Sequence, residues 1–113
     1  MFVGKVMGSL VSTQKTQAMV GHKLLLVEPY VLDLETRDTL KTTGKTYVTI
    51  DTVGAGEGEY VLVCQGSSAR LTPETKHLPV DAVIIGIVDS VRVGNKSVYS
   101  KEEDRAAPEQ EAE

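Results

Sequence analysis

The sequence has 113 residues, 41% hydrophobic, 25% charged and 4% aromatic with no tryptophan, which suits one domain with an aliphatic core. The formal net charge of -4 lies in residues 100–113, because these hold six acids and two bases while residues 1–99 hold ten of each. A neutral body without a lysine or arginine cluster lacks the electrostatic footprint of a nucleic-acid-binding protein.

The cysteine content and the lack of targeting signals indicate the cellular compartment. The single cysteine, Cys64, excludes an internal disulfide framework, and its place in an apolar run favours a buried thiol. The N-terminal residues lack the charged region and long apolar core of a signal peptide. No apolar run approaches the roughly 20 residues of a membrane span. We therefore expect a cytoplasmic protein with no membrane partner.

Five apolar runs rich in β-branched residues, separated by turn residues, predict five strands. In chain order they are Phe2 to Val11, Lys23 to Val31, Thr46 to Val53, Glu59 to Gln65, and Val80 to Val93. A set of five short strands suits a small, partly open barrel of the oligonucleotide/oligosaccharide-binding (OB) type, which protects its strand edges by closing the sheet.

Two local signals complete the predicted fold. Thr72 can cap a helix, Pro73 suits its first position, and Pro79 ends it within about two turns. The pair Gly94-Asn95 predicts a two-residue hairpin. We therefore predict an all-β protein, with a five-stranded OB-like barrel, one short helix and a C-terminal hairpin in residues 1–99. Residues 100–113 form an acidic tail whose composition is typical of disorder.

Two of the strands are apolar on both faces. Leu24–Val27 and Ala82–Val88 are hydrophobic at nearly every position, whereas an antiparallel strand with one wet face should alternate. One small domain cannot easily cover both faces, so self-association is the simplest source of the second cover. Ile85 is thus a candidate subunit-interface residue.

The glycine-rich run from Asp51 to Glu59 invites comparison with phosphate-binding loops. Such loops need a following helix whose N-terminus faces the anion, but the residues after Gly54, Gly56 and Gly58 predict a strand. We therefore predict a tight strand connection and no nucleotide cofactor. Two isolated histidines, His22 and His77, make a poor metal site, because zinc needs three or four nitrogen, sulfur or oxygen donors, so no metal site is expected.

Ser67, Ser68 and Arg70, in the run GSSAR, raise the question of a nucleophilic serine. No base stands nearby in sequence, although one could come from far along the chain. The favoured interpretation is a hydroxyl-rich turn in which the arginine pairs with an acid at an interface. Candidate acids are Asp51, Glu59 and Asp81.

Several motifs in order resemble one known family. They are VGKVMGSLVSTQK, GHKLLLVEP, DTVGAGEGEYVLV, GSSAR and PVDAVIIGIVD, and the similarity covers roughly residues 1–92. The sequence resembles the pentameric vertex proteins of bacterial microcompartments, the shell family of carboxysomes and of ethanolamine- and glycyl-radical-type metabolosomes. It departs from them in the segment LDLETRDTLKTTGK, which replaces a turn that is often shorter, and in the tail beyond Tyr99.

The resemblance implies a non-enzymatic homopentamer that caps the corners of a polyhedral shell and contacts its hexameric and trimeric shell proteins. On this interpretation, the glycines bring the backbone close to a neighbouring subunit. The interface candidates are Asp51, Gly54, Gly56, Gly58, Glu59, Arg70 and Ile85. Candidates for a central pore are Ser67 and Ser68, and candidates for a rim that contacts hexamers are Thr13, Gln14 and Lys15.

Two other interpretations stay open at this point. The same barrel could be an OB-type single-stranded nucleic-acid or oligosaccharide binding module, although such modules stack bases on aromatic residues in a basic groove. A small hydrolase built on Ser67 or Ser68 would need a distant base.

Overall fold

Eight strands make up the structure, a computed structural model that describes residues 1–12, 21–66 and 81–102. The strands are β1 (Phe2–Leu10), β2 (Lys23–Leu32), β3 (Leu40–Thr42), β4 (Tyr47–Asp51), β5 (Tyr60–Gln65), β6 (Ala82–Ile87), β7 (Ser90–Val93) and β8 (Lys96–Ser100). The predicted helix from Thr72 to Pro79 lies outside the described residues. Of the predicted acidic tail, residues 100–113, the structure describes 100–102, where Ser100 ends β8 and Lys101 pairs with Glu59; the residues from 103 onward lie outside the described part. Among the residues that are described, no helix has the length and apolarity needed to cross a bilayer.

Five of the strands close into a barrel in the order β1, β5, β6, β4, β2 and back to β1. Every pairing in this ring is antiparallel except that of β4 with β6, which is parallel and joins only two residue pairs, Ile50 with Val83 and Asp51 with Ile84. The prediction of an all-β, five-stranded barrel is confirmed. The short β3, within the segment that departs from the family pattern, extends the sheet along β2 beyond the end of β4.

The last apolar run, from Val80 to Val93, forms two strands and not one. The amide of Val88 still donates to the carbonyl of Tyr60 on β5, but the chain then leaves the barrel. Among the described strands, β7 and β8 pair only with each other, in a separate two-stranded sheet with the turn at Gly94-Asn95. The predicted hairpin is confirmed, and it lies outside the barrel's ring of pairings.

Aliphatic side chains fill the barrel, as the composition requires. Val6, Leu25, Val27, Val61 and Ile84 are at most 2% exposed and pack in one cluster. The members of this cluster alternate along each strand with residues on the outer face, since strand side chains have a period of two. On β2, Leu25 and Val27 therefore point inward, which leaves their neighbours Leu24 and Leu26 on the outside and only half-buried.

Gly4 shows how closely two strands of the barrel approach each other. It pairs with Pro29 on β2, and a Cβ on Gly4 would collide with the Cγ1 of Val27 and lie 3.1 Å from the carbonyl oxygen of Glu28. Backbone and a fully buried valine cannot easily move aside. Glycine is therefore required here by the packing of β1 on β2.

We expect Gly4→Ala to lower the free energy of unfolding by about 1–3 kcal/mol, since overpacking a filled core forces backbone or rotamer shifts. Gly86→Ala, in strand β6, is the matched control, because the nearest atom to its added Cβ is the Leu62 Cβ at an ordinary contact distance of 3.9 Å. Denaturant midpoints measured at one protein concentration should separate the two variants. Equal stabilities would contradict the proposed close packing at Gly4.

Candidate assembly surfaces

The outer face of β1, β2 and β4 carries apolar side chains that the described residues leave open. Leu26 on β2 pairs with Val48 on β4, and Leu24 lies between Leu10 on β1 and Ile50 on β4. Cross-strand partners share a face, so these five residues lie side by side outside the barrel. Leu10 is 40% exposed and Val48 is 49% exposed. Leu10, Leu24, Leu26 and Val48 are called the apolar face below.

The apolar face continues at both ends. Met7, at the irregularity where β1 shifts its register on β2, is 51% exposed, and Val11 after β1 is 87% exposed. On the other side, Ile50 and Val83 form a buried pair against which Leu24, Cys64 and Ile85 pack. Contiguous exposed apolar surface on a folded chain marks a site of interaction. The structure therefore places the predicted interface residue Ile85 in the cluster that adjoins this face.

The glycine-rich loop between β4 and β5 is fixed at its start by Asp51. The Asp51 Oδ1 accepts hydrogen bonds from the amides of Val53 at 3.0 Å and Gly54 at 3.1 Å. The Lys23 Nζ lies 3.7 Å from the Asp51 Oδ2 and donates to the carbonyl of Ala55 at 2.9 Å. Since the Asp51 side chain is only 2% exposed, its charge depends on these partners.

The middle of the loop is held by burial and by backbone conformation. Ala55 is fully buried in the main core cluster, and the Thr52 hydroxyl donates to the carbonyl of Ile84 at 2.8 Å. Gly54 and Gly58 have φ values of +80° and +88°, which L side chains rarely adopt. Apart from each glycine's own chain neighbours, no heavy atom of the described residues lies within 4 Å of the Cβ position on either glycine. The loop thus needs glycine for its own conformation, and the described residues leave the space beside both glycines open.

Glu59 holds the end of the loop. Its Oε1 accepts from the amide of Gly56 at 2.7 Å, and its Oε2 lies 2.7 Å from the Lys101 Nζ. Backbone bonds tie the same segment to β1: the Val6 amide donates to the Glu59 carbonyl, and the Gly58 amide donates to the Val6 carbonyl. Both acids predicted at the interface, Asp51 and Glu59, therefore hold the glycine-rich loop within their own chain.

Three tyrosines form a row on the outer surface next to this loop. The rings of Tyr30 and Tyr60 are 5.4 Å apart edge to face, and those of Tyr60 and Tyr99 are 4.4 Å apart. The Lys5 Nζ lies 5.7 Å from the centroid of the Tyr60 ring. Burial raises the pKa of Tyr30, and the negative charge of Glu28 and a hydrogen bond with its side chain raise it further.

The structure tests the placement of only some predicted residues. It brings Asp51, Gly54, Gly56, Gly58 and Glu59 together in one loop. Thr13, Gln14, Lys15, Ser67, Ser68 and Arg70 lie outside the described residues, so the proposed rim and pore positions remain predictions. Sequence reasoning missed Lys23 and Lys101 as partners of the loop acids, because 28 and 42 positions separate them in sequence and no local pattern links them.

Residues 1–12, 21–66 and 81–102 contain no group of three or more His, Cys, Asp or Glu side chains arranged to hold a metal ion.

The chain is similar to known proteins over most of its length. A profile of the family described as ethanolamine utilisation protein EutN/carboxysome matches residues 1–89. The bacterial microcompartment shell vertex protein GrpN of Rhodospirillum rubrum is 44% identical over 95 residues, which are 84% of this chain and 100% of that protein. The carboxysome shell vertex protein CcmL of Gloeobacter violaceus is 42% identical over 103 residues, 91% of this chain and 97% of that protein.

Solved structures of both relatives share the fold. The Gloeobacter violaceus CcmL structure superposes with a TM-score of 0.79 at 42% identity, and the match covers 90% of this chain and 99% of the CcmL chain. The pentameric GrpN shell protein of Rhodospirillum rubrum superposes with a TM-score of 0.69 at 44% identity, and the match covers 84% of this chain and 100% of the GrpN chain. The molecule is therefore a small all-β barrel of the shell-protein type. The chain belongs to the EutN/CcmL family, as its sequence motifs indicated.

We expect Asp51→Ala to lower the free energy of unfolding by about 1–3 kcal/mol, since two loop amides lose their acceptor and the Lys23 ammonium, which keeps its bond to the Ala55 carbonyl, loses its ion-pair partner. Asp33→Ala is a matched control, because Asp33 also accepts from the amide two residues on, at 2.9 Å, but in an exposed turn. Denaturant midpoints and hydrogen exchange at Val53 and Gly54 should report the difference. Unchanged exchange at these two amides in Asp51→Ala would show that the carboxylate does not hold the loop.

Proposed function

We propose that this chain forms a homopentamer that caps the vertices of a polyhedral bacterial microcompartment shell and closes its hexamer-built facets. The observation that carries the proposal is the apolar face on a barrel of this family. GrpN and CcmL are shell vertex proteins, and the GrpN structure is that of a pentameric shell protein. A vertex protein acts through its shape and its edges, so we propose a structural and not an enzymatic role.

The apolar face gives the reason for self-association. Leu26 and Val48 lie side by side on the outside of the barrel, with Leu10 and Met7 nearby, and all are open or half-open in the single chain. Covering such side chains contributes roughly 25 cal/mol for each Å² of apolar surface removed from water. A cyclic arrangement satisfies every copy at once, because each subunit then contributes the same two surfaces to its neighbours.

We propose that the glycine-rich loop supplies the second surface of this interface. The open space beside Gly54 and Gly58 would let a neighbouring backbone approach closely. Because Asp51 and Glu59 are occupied by their own chain, their role there is to hold the loop in place. Ile85 would then lie near the edge of the same contact, through its packing on Ile50 and Val83. Arg70 is the remaining interface residue proposed from the sequence.

The partners beyond the ring follow from the same proposal. A shell of hexameric and trimeric proteins needs corners, and the pentamer would meet them along five equivalent edges, where individually weak contacts add together. Thr13, Gln14 and Lys15 are the proposed edge residues, and Ser67 and Ser68 are proposed for the lining of the central opening. The alternative of an OB-type nucleic-acid or oligosaccharide binding module is not favoured, since the named relatives are shell vertex proteins.

Adjacent residues of β2 allow a direct test of self-association. We expect the native mass of the wild-type protein to be that of five chains. Leu26→Asp should stay folded but lose the pentamer, because the charge lies on the apolar face. Leu25→Asp should prevent folding, because Leu25 is 2% exposed within the core and an unpaired buried charge costs several kcal/mol, by rough estimate.

Leu34→Asp is the control for the substitution itself, since Leu34 is 74% exposed in the loop after β2. Circular dichroism reports folding, and native mass spectrometry with sedimentation reports assembly. A stable pentamer of Leu26→Asp would rule out the apolar face as the interface. A monomeric wild-type protein at concentrations where its relatives form rings would overturn the proposed function.

The edge contact with hexamers can be tested by co-expression. Gln14→Asp combined with Lys15→Glu should leave the isolated pentamer intact but give shells that lack corners, because the two added carboxylates would repel acceptors on a hexamer edge. The pentamer-to-hexamer ratio in purified shells measures incorporation. Asp33→Ala serves as the control variant. A normal ratio for the double variant would exclude these residues from the hexamer contact.

A further inference from the structure

The hairpin β7–β8 lies beyond the residues that the family profile matches, which end at residue 89. Within residues 1–12, 21–66 and 81–102, it pairs with no strand of the barrel. A two-stranded hairpin is marginally stable by itself in water, so its attachment to the rest of the chain decides its position. The described attachments gather at one place, the start of β5 and the end of the glycine-rich loop.

The attachment is made by both ends of the hairpin. Before β7, the Val88 amide donates to the Tyr60 carbonyl at 2.8 Å. After β8, the Lys101 amide donates to the carbonyl of Asp89 at 2.8 Å, which brings the two ends of the hairpin together. Between them, the Tyr99 ring packs on the Tyr60 ring at 4.4 Å. The hairpin is thus fixed to one residue of the barrel by backbone and by side chain.

Lys101 extends this attachment into the loop. Its ammonium lies 2.7 Å from the Glu59 Oε2, and the two side chains are only 21% and 25% exposed. The other oxygen of the same carboxylate accepts from the Gly56 amide. A charged hydrogen bond of this length in a partly desolvated place is stronger than an exposed ion pair. One carboxylate therefore connects the hairpin to the middle of the glycine-rich loop.

We propose that hairpin β7–β8 and Lys101 act as a clamp that sets the conformation of the glycine-rich loop and, through it, the assembly of the ring. Lys101 is a positioning residue, since it acts through Glu59. The assembly part of this proposal rests on the proposed function, whereas the effect on the loop does not. Regulation of the ring would then lie in a segment outside the family profile, where any change that releases Lys101 loosens the loop.

The clamp is tested by hydrogen exchange in the full-length chain. In Lys101→Met, the amides of Gly56 and Gly58 should exchange about fivefold faster or more, because the Glu59 carboxylate loses the cation that fixes it against the loop. Lys101→Arg should restore slow exchange, since it keeps the charge. Lys96→Met, at the exposed start of β8, is the matched control and should leave both amides unchanged.

A double-mutant cycle separates the ion pair from general effects of the substitutions. Glu59→Gln keeps an acceptor for the Gly56 amide but removes the charge that attracts Lys101. If the clamp acts through this pair, Lys101→Met combined with Glu59→Gln should exchange no faster than the faster of the two single variants. Additive effects would show that Lys101 acts on the loop by another route, and the proposal would be wrong.

The exchange experiment is repeated in the Leu26→Asp background, so that neighbouring subunits do not protect the loop. Loop exchange that responds to Lys101 in that background supports the clamp whatever the oligomeric state of the wild-type protein. A pentamer that forms normally while loop exchange ignores Lys101 overturns the clamp but leaves the proposed function standing. A loosened loop in Lys101→Met should also raise the subunit concentration needed for half-assembly by about fivefold, and an unchanged value would overturn the link to assembly.

Discussion

Closure of the barrel depends on a short parallel contact between β4 and β6. Only two residue pairs join these strands, Ile50 with Val83 and Asp51 with Ile84. The first pair is fully covered, and the second places Asp51 at the start of the glycine-rich loop. The Thr52 hydroxyl then continues the connection by donating to the carbonyl of Ile84. The point that closes the ring of strands therefore also begins the loop, so the stability of the barrel and the conformation of the loop are joined physically.

A barrel closed in this way has an inner and an outer face, and both faces carry apolar side chains. The inner face is filled by Val6, Leu25, Val27 and their neighbours, which is sufficient for a small aliphatic core. The outer face of β1, β2 and β4 is apolar as well, although a monomer in water gains nothing from such a surface. Leu26 and Val48 would instead lower the solubility of an isolated subunit. The proposed ring would give these side chains a purpose, because it would remove them from water in every copy.

The glycine-rich loop and the hairpin show how charged groups can fix a surface loop from within their own chain. Asp51 and Glu59 each use both carboxylate oxygens, one on loop amides and one on a lysine. Their charges are thereby satisfied within the chain, and the loop is presented in one conformation. Preorganisation of this kind lowers the entropy lost on association. The pairing of Glu59 with Lys101 further connects the loop to the hairpin, which follows the residues matched by the family profile.

Much of the fold could be predicted from the sequence because the signals are local. The β-branched runs, the turn at Gly94-Asn95 and the need for an aliphatic core all follow from neighbouring residues, and the ordered motifs identified the family. The two-sided apolarity of Leu24–Val27 also indicated an outer contact surface. The local pattern could not show which of the two faces is buried in the barrel. Leu25 and Leu26 are the same residue type, and only the pairing of β2 with its neighbours decides that Leu25 points into the core and Leu26 away from it.

Only the tertiary structure decided the long-range contacts. It divided the run from Val80 to Val93 into a barrel strand and a hairpin strand, because the chain leaves the barrel after Val88 has bonded to Tyr60. It paired Asp51 with Lys23, and Glu59 with Lys101, across 28 and 42 positions of sequence. Sequence determined the strands and the family, because hydrophobic period and turn chemistry are local. The closing of the barrel determined which charges meet, because partners of an ion pair are chosen by distance in space.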